Sequence, residues 1–156
     1  MTIRRAVETD ISAMVRLSDL KRTQYESFSP VFWKKAPEAA LKQKTFFSEL
    51  LQRDTVIALV SEADGIDGFI IANIVAAPPV YDPGGKVCMI DDFVVISPEL
   101  WVTVGKRLRD QIQLEAKMRG AVLSVTVCGH LDKLKREYLQ NADAHIASEW
   151  YVEKIK

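Results

Sequence analysis

The chain has 156 residues, 48% hydrophobic and 27% charged, with 21 basic and 21 acidic side chains and a net charge of zero. That length and apolar content suit one globular domain over 1–156, and the balanced charge argues against a general nucleic-acid binder. No apolar run approaches the ~20 residues a membrane helix needs, and Met1 to Asp10 carries Arg4 and Arg5 without the apolar centre of a signal peptide, so a cytoplasmic protein making no membrane contact is expected.

Thr2 to Val7 alternates weakly and predicts a first strand. Thr9 or Asp10 can cap the helix that follows, with Ile11, Met14, Val15 and Ser18 along one face. Tyr25 to Pro37 is aromatic and broken by Pro30 and Pro37, which predicts an irregular link. Glu38 to Arg53 predicts a second helix that buries Leu41, Phe47, Leu50 and Leu51. Thr55 to Ser61 and Asp67 to Val75 flank the turn signal Ala63-Asp64-Gly65 and predict an antiparallel hairpin. Ala76 to Gly85 holds three prolines and two glycines and predicts a loop.

Lys86 to Ile96 predicts the central strand, and Pro98 to Arg119 a long helix with Trp101, Val104, Leu108, Ile112 and Ala116 in one stripe. Ser97 suits an N-cap, Pro98 the first helical position and Glu99 the positive helix end, while Gly120 suits the residue past the last turn. A strand feeding a helix N-terminus gathers N–H groups that can bind an anion such as a cofactor phosphate. Ala121 to Cys128 predicts a strand covered on both faces. Leu131 to Asn141 predicts a helix with Leu131, Leu134 and Tyr138 on one face, and His145 to Ile155 a final strand. The sum is an α/β (α+β) fold, a mixed and mostly antiparallel sheet with helices on both faces.

This order, with the opening Arg5-Ala6-Val7-Glu8-Thr9-Asp10 and the turn Ile96-Ser97-Pro98-Glu99 leading to Gly105-Lys106-Arg107-Leu108, resembles the GNAT-type N-acetyltransferase superfamily across essentially the whole chain. The pyrophosphate-binding turn is a degenerate version. Leu100, Trp101, Val102 and Thr103 stand where the family has an arginine and its first glycine, and the turn is one residue short.

The resemblance implies an acyl-CoA-dependent N-acyltransferase that moves acetyl from acetyl-CoA to an amine of a small molecule or peptide by direct attack. It places the pantetheine arm and thioester carbonyl at the backbone of Val94, Val95 and Ile96, beside a β-bulge, and the phosphates at Val102, Thr103, Val104, Gly105 and Lys106. In the family a tyrosine of the last helix protonates the leaving thiolate, which points to Tyr138. An amphipathic core tyrosine is the alternative. Asp91 and Asp92 lie in an apolar strand, where burial raises a carboxyl toward general-base range. Adjacent strand residues face opposite sides, so at most one should enter the cleft. Pairing with a basic side chain is the alternative.

Lys106, Arg107 and Arg109, with Lys133, Lys135 and Arg136, suit a coenzyme phosphate or a solvated helix face. Tyr25 to Trp33 and Pro78-Pro79-Val80-Tyr81 suit an acceptor wall, a core plug or the surface of a homodimer. Cys88 and Cys128 lack metal-ligand spacing and read as buried thiols, His130 as a helix-end residue, and no metal is expected. The rival reading is an acetyltransferase-like fold without catalysis that binds a ligand or a protein partner.

Overall fold

A computed structural model describes residues 1–156. Its elements are β1 (Thr2–Arg5), α1 (Ile11–Phe28), α2 (Ala39–Leu51), β2 (Val56–Glu62), β3 (Ile66–Val75), β4 (Lys86–Val95), α3 (Val104–Met118), β5 (Ala121–Thr126) and α4 (Lys133–Gln140). The five strands form one sheet in the order β1-β2-β3-β4-β5. The first four are antiparallel neighbours and β5 runs parallel to β4. This is the mixed, mostly antiparallel sheet that the sequence predicts.

Alternation along β2 and β3 builds two cores, one on each face. Ala58, Val60, Phe69 and Ile71 meet Ile11, Met14 and Leu17 of α1 and Phe47 and Leu50 of α2. Ile57, Leu59, Ile70 and Ala72 meet Val104, Leu108, Ile112 and Ala116 of α3. All five residues of the predicted α3 stripe are buried. The helix sits close because Gly68 has no side chain: a Cβ there would lie 2.8 Å from Val104 Cγ1 and 3.2 Å from Leu108 Cδ1. Gly120, at φ +85°, takes the left-handed conformation expected past the helix end.

Several expectations change. The aromatic link is shorter than predicted, since α1 continues to Phe28. Neither Thr9 nor Asp10 caps it through a side chain. The Asp10 carboxylate instead reaches back to Arg4, at 2.7 and 2.9 Å, and to the Val7 N–H at 2.9 Å. Leu41 is exposed. The long helix is divided: Pro98–Val102 is a 3-10 turn, and the α-helix begins only at Val104. No strand forms over 145–155, so β5 is the sheet edge with most of its side chains exposed, not covered on both faces. α4 starts later than expected, at Lys133; Leu131 before it and Leu134 within it are exposed, and Lys135 and Tyr138 are its buried residues. No helix is long and apolar enough to cross a membrane.

A cleft between β4 and β5

The central strand carries the feature that shapes the site. Its register against β3 slips at one point: Ile71 pairs with Asp92 and Ala72 with Ile90, so Asp91 is an extra residue, a β-bulge. Cys88 and Ile90 before the bulge and Phe93 after it all lie in the core under α3. Asp91 and Asp92 are therefore both kept off that face. The expectation that adjacent aspartates face opposite sides fails because a bulge breaks the two-residue period.

The parallel pairing with β5 ends at Ile90 opposite Thr126, with one last bond from the Val127 N–H to the Ile90 carbonyl at 3.0 Å. Beyond it β4 continues to Val95 paired with β3 on one side only. A cavity of about 120 Å³ opens there, lined by Phe93 to Pro98, Trp101, Leu17, Leu20 and Asp132, among others. A wider depression of about 470 Å³ between Met1–Ile3 and the α3 residues Arg107 and Leu114 is more open and holds none of the expected catalytic residues.

Trp101 forms one wall. Its indole is buried, lies edge-on to Phe93 at 4.9 Å and stacks on Tyr138 at 5.4 Å between ring centroids. It also rests on Gly105, where a Cβ would come within 2.8 Å of Trp101 Cε3. The bare backbone of Gly105 accommodates this indole. In the turn itself, the Leu100 N–H donates to the Ser97 carbonyl at 3.1 Å and the Thr103 N–H to the Leu100 carbonyl at 3.3 Å. Those two donors are spent within the 3-10 turn and do not face a ligand.

The predicted residues fall into two groups. Val94, Val95 and Ile96 line the cavity, and the Ile96 N–H is already donated to the Asp67 carbonyl at 2.8 Å. Tyr138 is buried next to Trp101 and Phe93, and its hydroxyl has no hydrogen-bond partner. Burial pushes that phenol above its ordinary range, with the nearby Arg109 charge offsetting part of the rise. Asp91 is exposed at the bulge, yet partial desolvation and the adjacent Asp92 raise its carboxyl, against the pull of Lys21 on α1. Asp92 is half-buried beside it. Elsewhere, Val104 packs into the core, Val102 and Thr103 are exposed, and Lys106 pairs with Asp110 one turn along α3.

Lys135 is the residue that the sequence hides. By sequence it belongs with the bases that suit a coenzyme phosphate or a solvated helix face, but it is only 1% exposed. Its Nζ donates to the Phe93 carbonyl at 3.1 Å on β4 and to the Val127 carbonyl at 3.0 Å just past β5. The same atom lies over the rings of Phe93 and Trp101, at 5.5 and 5.6 Å from their centroids. The ammonium thus fills the gap where the two strands part. A neighbouring network fixes the helix that carries it. The Tyr25 hydroxyl donates to Asp132 Oδ2 at 2.9 Å and accepts the Gly129 N–H at 3.0 Å, while Asp132 Oδ1 caps the Lys135 N–H at 3.3 Å. One residue to either side, Leu134 and Arg136 are not buried; only helical phase, set by Tyr138, could have pointed to Lys135.

Solved structures share this architecture over the full chain. A point mutant of the BH1408 protein from Bacillus halodurans superimposes with a TM-score of 0.86 at 15% identity, covering 100% of both chains. A ribosomal-protein-alanine N-acetyltransferase from Brucella melitensis gives 0.68 at 19% identity, over 99% of this chain and 100% of that one. A predicted acetyltransferase with acetyl-CoA from Clostridium acetobutylicum gives 0.73 at 17% identity, over 98% and 95%. The chain has the GNAT-type N-acetyltransferase fold. No protein-family model matches its sequence, and no curated protein does. Within the GNAT fold, the bulge at Asp91 and the parting of β4 from β5 lie on the central strand, where the sequence resemblance locates the thioester. No group of three or more His, Cys, Asp or Glu side chains is arranged to hold a metal ion.

Proposed function

We propose that the protein is an acyl-CoA-dependent N-acyltransferase that uses acetyl-CoA and an amine on a small molecule or peptide. The observation that supports this reading is the bulged, one-sided end of β4, which leaves strand backbone from Phe93 to Ile96 along an open cavity. Such an edge can take an extended amide-bearing chain as if it were another strand. The acetyltransferase names of the solved neighbours agree with it.

In this reading the strand at Val94, Val95 and Ile96 holds the arm, and a backbone N–H other than that of Ile96, which is bonded to Asp67, polarises the thioester carbonyl. Asp91, raised and solvent-accessible, removes the amine proton directly or through water, with Asp92 supporting its raised state. Tyr138 keeps its proton at neutral pH and donates it to the leaving sulfur. Val102 and Val104 to Lys106 carry the phosphates at the start of α3, without the Thr103 N–H, which the turn itself uses. Changing Tyr138 to Phe is then expected to lower kcat by about 10²-fold with little change in coenzyme affinity, as read by steady-state kinetics and titration; an unchanged kcat removes the acid role.

A second reading is supported by a specific observation. The Trp101 indole lies on Gly105, and Lys135 fills the strand gap, so parts of the coenzyme path are occupied by the chain itself. An acetyltransferase-like fold without catalysis, serving as a ligand or protein module, would have such a filled cleft. Titration with acetyl-CoA separates the two readings. Saturable binding supports the first, and none at millimolar coenzyme supports the second.

A further inference from the structure

The most unusual group in the molecule is a primary amine buried where β4 and β5 part, next to the cavity. Lys135 Nζ bridges one carbonyl from each of the two parting strands and is nearly out of contact with solvent. The Phe93 and Trp101 rings beneath it are the same two that line the cavity. An alkyl amine held there matches the chemical class of the acceptor proposed above. We propose that Lys135 is a self-acylation site, an internal acceptor that takes an acyl group from a thioester in the β4–β5 cleft. This inference rests on the acyl-thioester reading and adds the identity of one acceptor.

The chemistry balances without a further reagent. The Nζ lone pair attacks the thioester carbonyl carbon, a C–N bond forms and the C–S bond breaks. Sulfur leaves as thiolate and takes up the proton that nitrogen releases. The products are Nε-acyl-Lys135 and a free thiol.

The surroundings favour the nucleophilic form. Burial, helped by the Lys21 charge on α1, brings the amine down to about 7, against smaller opposite effects of Cys128, Asp132 and Asp92. A far larger share of it is therefore neutral at pH 7 than of an ordinary lysine, of which only about one in three thousand is. The amide product keeps one N–H where the ammonium offered three, so acylation leaves one of the two strand carbonyls without its donor. Modification should therefore loosen the gap that the lysine now closes.

Intact-mass and peptide-mapping spectrometry test the proposal. The folded protein is incubated at pH 7 with acetyl-CoA and, separately, with the small thioester S-acetyl-N-acetylcysteamine. The expected result is one acetyl group per chain at Lys135, formed at least about tenfold faster than at exposed lysines such as Lys154 and Lys156, with the preference lost in denaturant. Lys135→Arg, which keeps a charge and donors in the gap, should lose that one modification and keep the slow surface background. Acetyl groups on surface lysines with none on Lys135 would overturn the proposal, as would equal labelling of Lys135 in the folded and denatured chain. The donors separate the two claims. Coenzyme binding with an unmodified Lys135 defeats self-acylation alone. Labelling by the small thioester without coenzyme binding defeats the coenzyme reading alone. Neither binding nor labelling defeats both.

Discussion

Lys135 shows how a single side chain changes character with its position on a helix. Burial of an ammonium is costly unless its donors are used, and here two are used by strand carbonyls while aromatic faces take the rest. The cost should appear in the pH dependence of stability. The folded lysine sits near 7 and the unfolded one near its ordinary 10.5, so between those values the unfolded chain binds more protons. Stability should rise as pH rises through this window, by an amount on the order of a few kcal/mol. Denaturant unfolding of wild type and Lys135→Met from pH 6 to 10 checks this, and an identical slope in the variant would contradict it. Asp10 gives the opposite sign. Its carboxyl is held below the usual range by Arg4 and by the Val7 N–H, so its contribution is full above the unfolded value of 3.8 and is lost as pH falls through the lower folded value. Asp10→Asn should cost about 2 kcal/mol at pH 7, less than a fully buried pair because Arg4 is a third exposed, and almost nothing in strong acid. A cost independent of pH would contradict the ion-pair account.

At the scale of the elements, the junction of β4 and α3 joins fold to site. Two neighbouring features, the Asp91 bulge and the 3-10 turn at Pro98–Val102, aim the end of the strand and seat Trp101 on Gly105. Alanine is a better helix former than glycine by about 1 kcal/mol. Gly105→Ala should nevertheless destabilise, by about 1–3 kcal/mol, because the new methyl meets an indole held between Phe93 and Tyr138. Thermal unfolding decides it, and a stabilised variant would mean that the indole is free to move. The α3 stripe was legible because five apolar residues repeat at helical spacing. The bulge was not placed at Asp91, since an inserted residue leaves no mark in a run of strand-forming residues. Nor was the burial of Lys135 legible, because a lysine flanked by Lys133 and Arg136 looks solvated. The final strand expected over His145 to Ile155 does not form, because local propensity without a paired neighbour does not make a strand.

Across the whole molecule, the two cores hold a sheet in which β4 stays paired with β3 to Val95 but with β5 only to Ile90, halfway along its length. That asymmetry gives the fold its opening, which is lined by Phe93 to Ile96 of the strand, while Asp91 and Tyr138 lie outside that lining. Trp101 in its wall and Lys135 in the neighbouring strand gap are side chains that a ligand must pass or displace. The central claim is that this cleft accepts an acyl-coenzyme A. Calorimetric titration of the purified protein with acetyl-CoA tests it most directly. The account predicts saturable binding of one coenzyme per chain, weakened when the 3′-phosphate is removed. No heat of binding at millimolar coenzyme would contradict it and turn the search to other ligands or protein partners.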